Sequence, residues 1–553
     1  MPATVQIKDA VRSALQPQPT PQEAATHNVV WEAIPGTSQD LALDSRCHST
    51  LYHGTRGVGK TAVQLMRFRK RVGLGYGRFW RGVIFDREFK NLADIVTQSK
   101  RFFKPFEDGA VFLSSASEYK WVWPTGEELL FRHAKKLEDY EAFHGHEYPF
   151  IGFNELTKHA NGDLYYKLLS TNRSSFLPDV HTPHDVVAAG TPGAIEGIDR
   201  IWRKYKTSNG KPLPAIPLEV FNTTNPSGRG RAWVKRDMID VAEPGEVVKQ
   251  RFDVYNPQTQ KEETVEITHV HIFGSWRENK YIDPKYVAWL HSIKDKNLRR
   301  AWLLGDWSVT TGGALDDLWN DDVHILPAGF VPPKEWIVDR AFDWGSSTPA
   351  CCIWFAEANG EESILPDGRL FAPPAGTLIA FREWYICAKD DITGKPLIGR
   401  NKGAKLSPTA IAKGIKTREI EWMKRKLLLR QPKAGPADNQ IRNVTDVSNE
   451  TIEKKMALEG IKWTESDKSA GSNAMGLQVI RDRLEAALLK EGKALYVTRD
   501  CPATIELVPP IPRDEEKPDE IDSDYEDHPY DVIKYRCLAG NKNSQGKVKI
   551  AFS

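Results

Sequence analysis

The chain has 553 residues, 40% of them hydrophobic and 27% charged, and a formal net charge of +2. Such a length exceeds one ordinary domain, so two or three are expected, and the balance is that of a globular chain, neither disordered nor fibrous. No apolar run reaches the roughly 18 residues that a membrane-spanning helix requires. The opening stretch MPATVQIKDAVRSALQPQPTPQEAAT lacks the apolar centre of a secretory signal. Six cysteines are scattered without a CxxC spacing, and only Cys351 and Cys352 are adjacent. Neither a zinc site nor a disulfide framework is expected from them, and a reducing cytoplasm suits the pattern.

Residues 1–28 are polar and rich in Pro, Gln and Ala, and read as a flexible arm. From there to about 310, apolar runs alternate with helical patterns: STLYHG, RGVIFD, EELLFRHA, YPFIGFNEL, DVVAAGTPG and LEVFNTTNP. Strands separated by helices predict a parallel α/β sheet. The turn-rich segment VTTGGALDDLWNDDVHILPAGFVPP ends in Pro332-Pro333 and marks a boundary near 310–335, after which WIVDRAFDWG opens a second strand-rich unit. The expected domains are therefore 29–320, linker included, and 330–553. The acidic, Pro-containing stretch IPRDEEKPDEIDSDY reads as an exposed loop before a final helix.

Residues 54–61 read GTRGVGKT, a complete G-x-x-x-x-G-K-[ST] pattern between the strand-like STLYHG and the helical TAVQLMRFRKRV. In this context Gly54, Thr55, Arg56, Gly57, Val58 and Gly59 turn backbone N–H groups inward to cradle phosphates, and the following helix start adds partial positive charge. Lys60 reaches the β- and γ-phosphates of ATP and Thr61 holds Mg²⁺. Arg56 either assists at the phosphates or is a solvated turn residue. Gln39, upstream in IPGTSQ, either reads adenine or is surface. YPFIGFNEL ends in Asn154-Glu155, so Glu155 is the candidate to orient or deprotonate the attacking water, while an amide stands at Asn154 where a carboxylate is usual. Thr223, Thr224 and Asn225 end a further strand and can sense the γ-phosphate.

These pieces resemble the large terminase subunit of tailed bacteriophages. The likeness runs through GTRGVGKT, HGHEYPFIGFNEL, NRSSFLPDV, TTNPSGRGRAWVK and YIDPKYVAWLHSIKDKNLRRAWLLGDW, then FDWGSSTPACCIWF, GPADNQI and EDHPYDVIKYR, in the expected order over most of 30–540. The stretch 184–207 is an insertion outside it. The resemblance implies a RecA-like P-loop ATPase followed by an RNase H-like nuclease, which packages viral DNA and cuts concatemers. It also implies double-stranded DNA, a small terminase subunit and a portal protein as partners, with a homo-oligomeric ring on the procapsid in the host cytoplasm. A helicase or repair ATPase with an attached nuclease is the alternative. A nucleotide-switched assembly protein without catalysis is a third reading, favoured by Asn154.

An RNase H-like nuclease gathers carboxylates around two divalent ions, Mg²⁺ or Mn²⁺. Asp343 ends WIVDRAFD and Asp438 ends PKAGPAD. Asp527 and Asp531, four apart in EDHPYDVIKYR, share one face of a helix whose first turn holds Pro529. Asp343, Asp438 and Asp531 are the expected catalytic ligands, with Asp527 beside them. Glu383 is either an accessory acid or half of a cross-strand ion pair. No histidine is assigned a role, and the 17 tryptophans are read mainly as core. Three basic clusters are DNA-contact candidates or solvated faces: Arg67, Arg69, Lys70 and Arg71; Arg229, Arg231, Lys235 and Arg236; and Lys424, Arg425 and Lys426.

Overall fold

Strands whose apolar residues are consecutive, not alternate, must be covered on both faces. STLYHG, RGVIFD, FIGF and EVFNT each carry such a run, and in the computed structural model each is buried along nearly its whole length. The structure describes residues 30–187, 193–209, 213–257, 259–309, 313–391, 394–443, 450–514, 516–523 and 525–542. The arm expected over 1–28 lies outside the described residues. The chain divides into two compact units, Met1–Val309 and Thr310–Ser553. Residues 313–326 pack within the second: Leu315 is fully buried in its core, because this turn-rich stretch carries apolar anchors as well as turn residues.

The first unit is built on nine strands: β1 (Ser49–Gly54), β2 (Arg81–Asp86), β3 (Val111–Leu113), β4 (Lys120–Val122), β5 (Glu128–His133), β6 (Phe150–Phe153), β7 (Glu219–Thr223), β8 (Val248–Asn256) and β9 (Lys261–Gly274). Their order is β3-β4-β5-β2-β6-β7-β1-β9-β8, and the run from β5 to β9 is parallel. Side chains alternate across it: Leu51, Val83, Ile151 and Val220 enter one core, and Tyr52, Ile84, Phe150 and Phe221 the other. The expected strand DVVAAGTPG, 185–193, lies for its greater part outside the described residues. Pro183–Val186 is a helical turn capped by Thr182 and Asp185, as its Thr-Pro-x-Asp sequence favours, and 188–192 lie outside the described residues.

The second unit carries β10 (Ile325–Leu326), β11 (Ile337–Asp343), β12 (Ala350–Glu357), β13 (Ser363–Ile364), β14 (Leu370–Phe371), β15 (Leu378–Ile386), β16 (Lys433–Ala437), β17 (Thr464–Glu465) and β18 (Leu495–Thr498). Its main sheet runs β10-β18-β15-β12-β11-β16-β17. Strands β11, β12 and β15 form an antiparallel meander, and β16 and β17 add in parallel beyond β11, the arrangement of an RNase H-like fold. Both units are thus α/β. Among the described residues no helix is long and apolar enough to cross a membrane.

Under this second sheet Arg340 donates to Glu419 at 3.1 Å, and Glu419 also accepts from Trp354 and Gln431. Both charges are buried. Removing one partner leaves the other desolvated and alone, which outweighs the loss of the pair itself. We expect Glu419→Ala to destabilise the second unit by about 3–5 kcal/mol in denaturant titration, whereas a loss below about 1 kcal/mol would mean that Arg340 finds water.

Candidate functional sites

The loop from Gly54 to Gly59 leaves β1 with three glycines in the left-handed region, at φ +126°, +87° and +94° for Gly54, Gly57 and Gly59. At Gly54 the requirement is also steric: a Cβ there would stand 2.1 Å from the Gly274 carbonyl oxygen on β9. The helix Lys60–Arg69 follows directly. Gln39 is buried and donates to the Val58 carbonyl at 2.8 Å, so it braces the loop from behind. It is buried, not surface. The Arg56 guanidinium carbon lies over the Trp302 ring, 3.4 Å from its centroid, and the Arg56 backbone N–H donates to the Trp302 carbonyl. Thr55 and Gly57 are held by Trp276 and Asn279.

Lys60 donates to the Thr55 carbonyl at 2.7 Å and to Asn225 Oδ1 at 2.8 Å. Burial pushes its ammonium down to about 8, the Glu155 charge opposing and Arg56 assisting that fall. The other end of the Asn225 amide donates to both carboxylate oxygens of Glu155, at 3.0 and 3.1 Å. One amide at the end of β7 therefore joins the phosphate-loop lysine to the acid at the end of β6. Glu155 is held in the left-handed region at φ 56°, which costs an ordinary residue conformational energy and aims its carboxylate at Asn225. Asn154 points the other way and donates to Asp86 at 2.9 Å. Thr61 is half-buried at the helix start.

In the second unit the pairing of β11 with β16 sets Asp343 beside Asp438, whose N–H donates to the Phe342 carbonyl. The helix His528–Lys542 brings the remaining acids. Asp527 immediately precedes it, Pro529 sits in its first turn and Asp531 just inside, as the spacing predicts. Tyr535, one turn on, donates to Asp531 at 3.0 Å and to Asp343 at 3.4 Å. Lys534 holds Asp531 at 2.7 Å, and Lys468 reaches both Asp438 at 3.2 Å and Tyr535 at 3.0 Å. His528 Nδ1 lies 2.9 Å from Asp343, with its Nε2 on Asn401. Burial pushes the Asp343 carboxyl up to about 6, with the Asp531 and Asp438 charges adding to it and His528 opposing. Asp527 goes to about 8 by burial and then the Asp531 charge. Burial alone would lower His528, but its bond to Asp343 and the surrounding acids raise it.

Among the described residues no three His, Cys, Asp or Glu side chains converge closely enough to hold a metal ion. The site fits a divalent cation in its chemistry: buried, mutually repelling carboxylates, with oxygen donors of the kind Mg²⁺ and Mn²⁺ prefer.

Several sequence expectations change. Glu383 is neither an accessory acid nor one side of an ion pair. It accepts from the N–H groups of Ala503 and Thr504 and from the Thr504 hydroxyl, at the start of the helix Pro502–Leu507. The cluster at 67–71 is spent inside the first unit, since Arg67 and Arg71 both bind the buried Glu219 and Arg69 binds Asp108. Arg231 is buried against the Trp307 carbonyl, while Lys235 and Arg236 pair with Asp240 and Asp237. Lys424, Arg425 and Lys426 stay exposed. His528, Tyr535, Lys534 and Lys468 were not anticipated as site residues. The signal for three of them was their spacing around Asp531, within one helical turn on either side.

No family model matches the chain, and no curated protein does. Among solved structures it is similar to the large terminase of a thermophilic bacteriophage in complex with ADP, at 13% identity over 92% of this chain and 99% of that one, with a TM-score of 0.33. The HK97 bacteriophage large terminase aligns at 10% identity over 90% of this chain and 93% of that one, TM-score 0.38. The P22 large terminase nuclease domain aligns at 13% identity over 42% of this chain and 94% of that one, TM-score 0.28. Identities this low speak to fold alone, and the two sites stand on their own geometry.

Asn225→Ala cuts the link between Lys60 and Glu155 without removing either charge. We expect ATP hydrolysis to fall by about 10–100-fold in kcat, with nucleotide KM changed by less than about threefold. An unchanged kcat would make the bridge incidental.

Proposed function

We propose that the chain is the large subunit of a viral DNA-packaging terminase, an ATP-driven translocase of duplex DNA joined to a metal-dependent endonuclease. The observation that carries this reading is the Lys60–Asn225–Glu155 bridge, set at the carboxyl ends of neighbouring strands beside a complete phosphate loop. On binding ATP, Lys60 exchanges the Thr55 carbonyl and Asn225 for phosphate oxygens, and Thr61 serves the Mg²⁺ that accompanies the nucleotide. Asn225, released from Lys60, reports the γ-phosphate to Glu155, which orients the attacking water and takes its proton. Arg56 remains on Trp302 at the rim of the loop, where its charge adds to that of Lys60.

In the second unit Asp343, Asp438 and Asp531 would hold the divalent cations, Mg²⁺ or Mn²⁺, with Asp527 beside them. Bound there, the ions supply water activation and stabilise the leaving oxygen of the phosphodiester. The chain's own part is to hold these acids in place. Tyr535 ties Asp343 to Asp531, His528 fixes the rotamer of Asp343 through Asn401, and Lys468 and Lys534 offset the charge that burial concentrates. Duplex DNA is the substrate of both activities. The small subunit and the portal are the protein partners, and the assembly works on the procapsid in the host cytoplasm.

The helicase reading needs a second RecA-like lobe. The antiparallel meander of β11, β12 and β15 is a different sheet, and this favours the terminase reading.

The test compares plasmid cleavage and ATP hydrolysis by the full chain in Mn²⁺ or Mg²⁺. Asp343→Ala is expected to lower cutting by at least about 100-fold while ATP hydrolysis stays within about twofold, and Lys60→Ala to do the reverse. An Asp343→Ala protein that cuts like wild type sinks the nuclease assignment.

A further inference from the structure

Two lysines enter the acid cluster of the second unit, and they are held differently. Lys534 lies on the helix His528–Lys542, three residues after Asp531, and is buried. It donates to Asp531 at 2.7 Å and to Asn473 Oδ1 at 3.1 Å. Lys468 comes from the loop between β17 and the helix Ser472–Leu489. Its side chain is 40% exposed, although that of its partner Asp438 is only 7% exposed. The sheet places this loop. β16 and β17 run parallel with Ala437 opposite Glu465, so Asn439 and Ser466 leave the strands close together. Asn439 accepts from the Ser466 N–H and donates to the Ser466 carbonyl, both at 3.1 Å. Asp467 then accepts from the Ser469 N–H at 3.0 Å and closes the turn. The backbone at Lys468 is thereby fixed beside Asp438, while its exposed side chain can swing away by bond rotation alone.

The Lys468 ammonium adjoins the whole ligand set. Its Nζ lies 3.2 Å from Asp438 and donates to the Tyr535 hydroxyl at 3.0 Å, and that hydroxyl in turn donates to Asp531 and Asp343. One cation thus touches, directly or through a single hydroxyl, all three acids read above as metal ligands. We propose that Lys468 is a built-in stand-in for a divalent ion, which compensates Asp438 while no ion is bound and is displaced to solvent when Mg²⁺ or Mn²⁺ binds. This rests on the nuclease reading of Asp343, Asp438 and Asp531. Buried carboxylates are costly without a counter-charge, so the lysine stabilises the unloaded cluster. The same charge opposes the ion, because repulsion between cations in a poorly solvated site is several times that in water. Lys534, buried on its helix, stays in place as a fixed charge, whereas Lys468 is free to leave. The nuclease therefore rests with its affinity for metal held down by its own side chain, and loading waits on that side chain moving out.

Full-chain wild type, Lys468→Met, Lys468→Arg, Asp343→Ala and the double variant Lys468→Met with Asp343→Ala are titrated with Mn²⁺ in the absence of nucleotide and DNA. Free Mn²⁺ is read by electron paramagnetic resonance. Methionine keeps an unbranched stem without the charge, and arginine keeps the charge. Lys468→Met is expected to bind Mn²⁺ at least about tenfold more tightly than wild type, and Lys468→Arg to stay within about threefold of it. The melting temperature of Lys468→Met should be lower than that of wild type without Mn²⁺ and rise further when Mn²⁺ is added. A lysine that merely supports the structure gives the opposite sign, since loosened acids bind metal more weakly. A Lys468→Met protein that binds Mn²⁺ no more tightly than wild type overturns the stand-in role. The nuclease reading survives that result if Asp343→Ala still lowers the affinity of the wild type. Tighter binding in Lys468→Met that persists in the double variant places the ion away from the acids, and overturns the stand-in role and the nuclease reading together.

Discussion

A parallel sheet delivers the carboxyl ends of its strands to one edge, and that constraint makes both candidate sites. In the first unit β1, β6 and β7 end side by side, so Gly54, Glu155 and Asn225, more than a hundred and fifty residues apart at the extremes, become neighbours. In the second the parallel pair β11 and β16 does the same for Asp343 and Asp438. The burial of the strands on both faces fixes this register, because a slip by one residue would send every side chain into the opposite core, against neighbours it does not fit. The polar groups that end the strands are then held as rigidly as the sheet itself.

The same burial sets the electrostatics. Lys60 sits where its ammonium is poorly solvated and meets only neutral acceptors directly, so phosphate oxygens would compensate its charge. In the second unit the sign is reversed: acids crowd a desolvated space, and Asp343 and Asp527 are driven upward by burial and by the Asp531 charge. The two units thus solve opposite problems, one an under-compensated cation and the other under-compensated anions. Each calls for a ligand of the missing sign, a polyphosphate in the first case and cations in the second.

What could be read from sequence was what is local. The phosphate loop is eight contiguous residues whose glycines, lysine and threonine each have one use, and the acids at 343 and 438 announce themselves by ending apolar runs. The partners of those residues are not local. His528 meets Asp343 across 185 positions and Tyr535 across 192, and no spacing rule spans such distances. Arg67 and Arg71 look like a solvated basic helix face until Glu219, 152 and 148 positions away, arrives beneath them on β7. Glu383 likewise meets the helix it caps only after the chain has made another 120 residues.

Asn154 is the residue that most invites a non-catalytic reading, and its surroundings give it another cause. Asp86, at the end of the neighbouring β2, is fully buried and already takes Lys158 and Asn91. An aspartate at 154 would set a second carboxylate about 3 Å from it, with only one lysine for both, and repulsion in a desolvated site would force one of them to take up a proton. An amide turns that repulsion into the 2.9 Å hydrogen bond that is found. The substitution therefore follows from the chain having placed a buried acid on the adjacent strand. Glu155 faces the opposite way, toward Asn225, and is untouched by it.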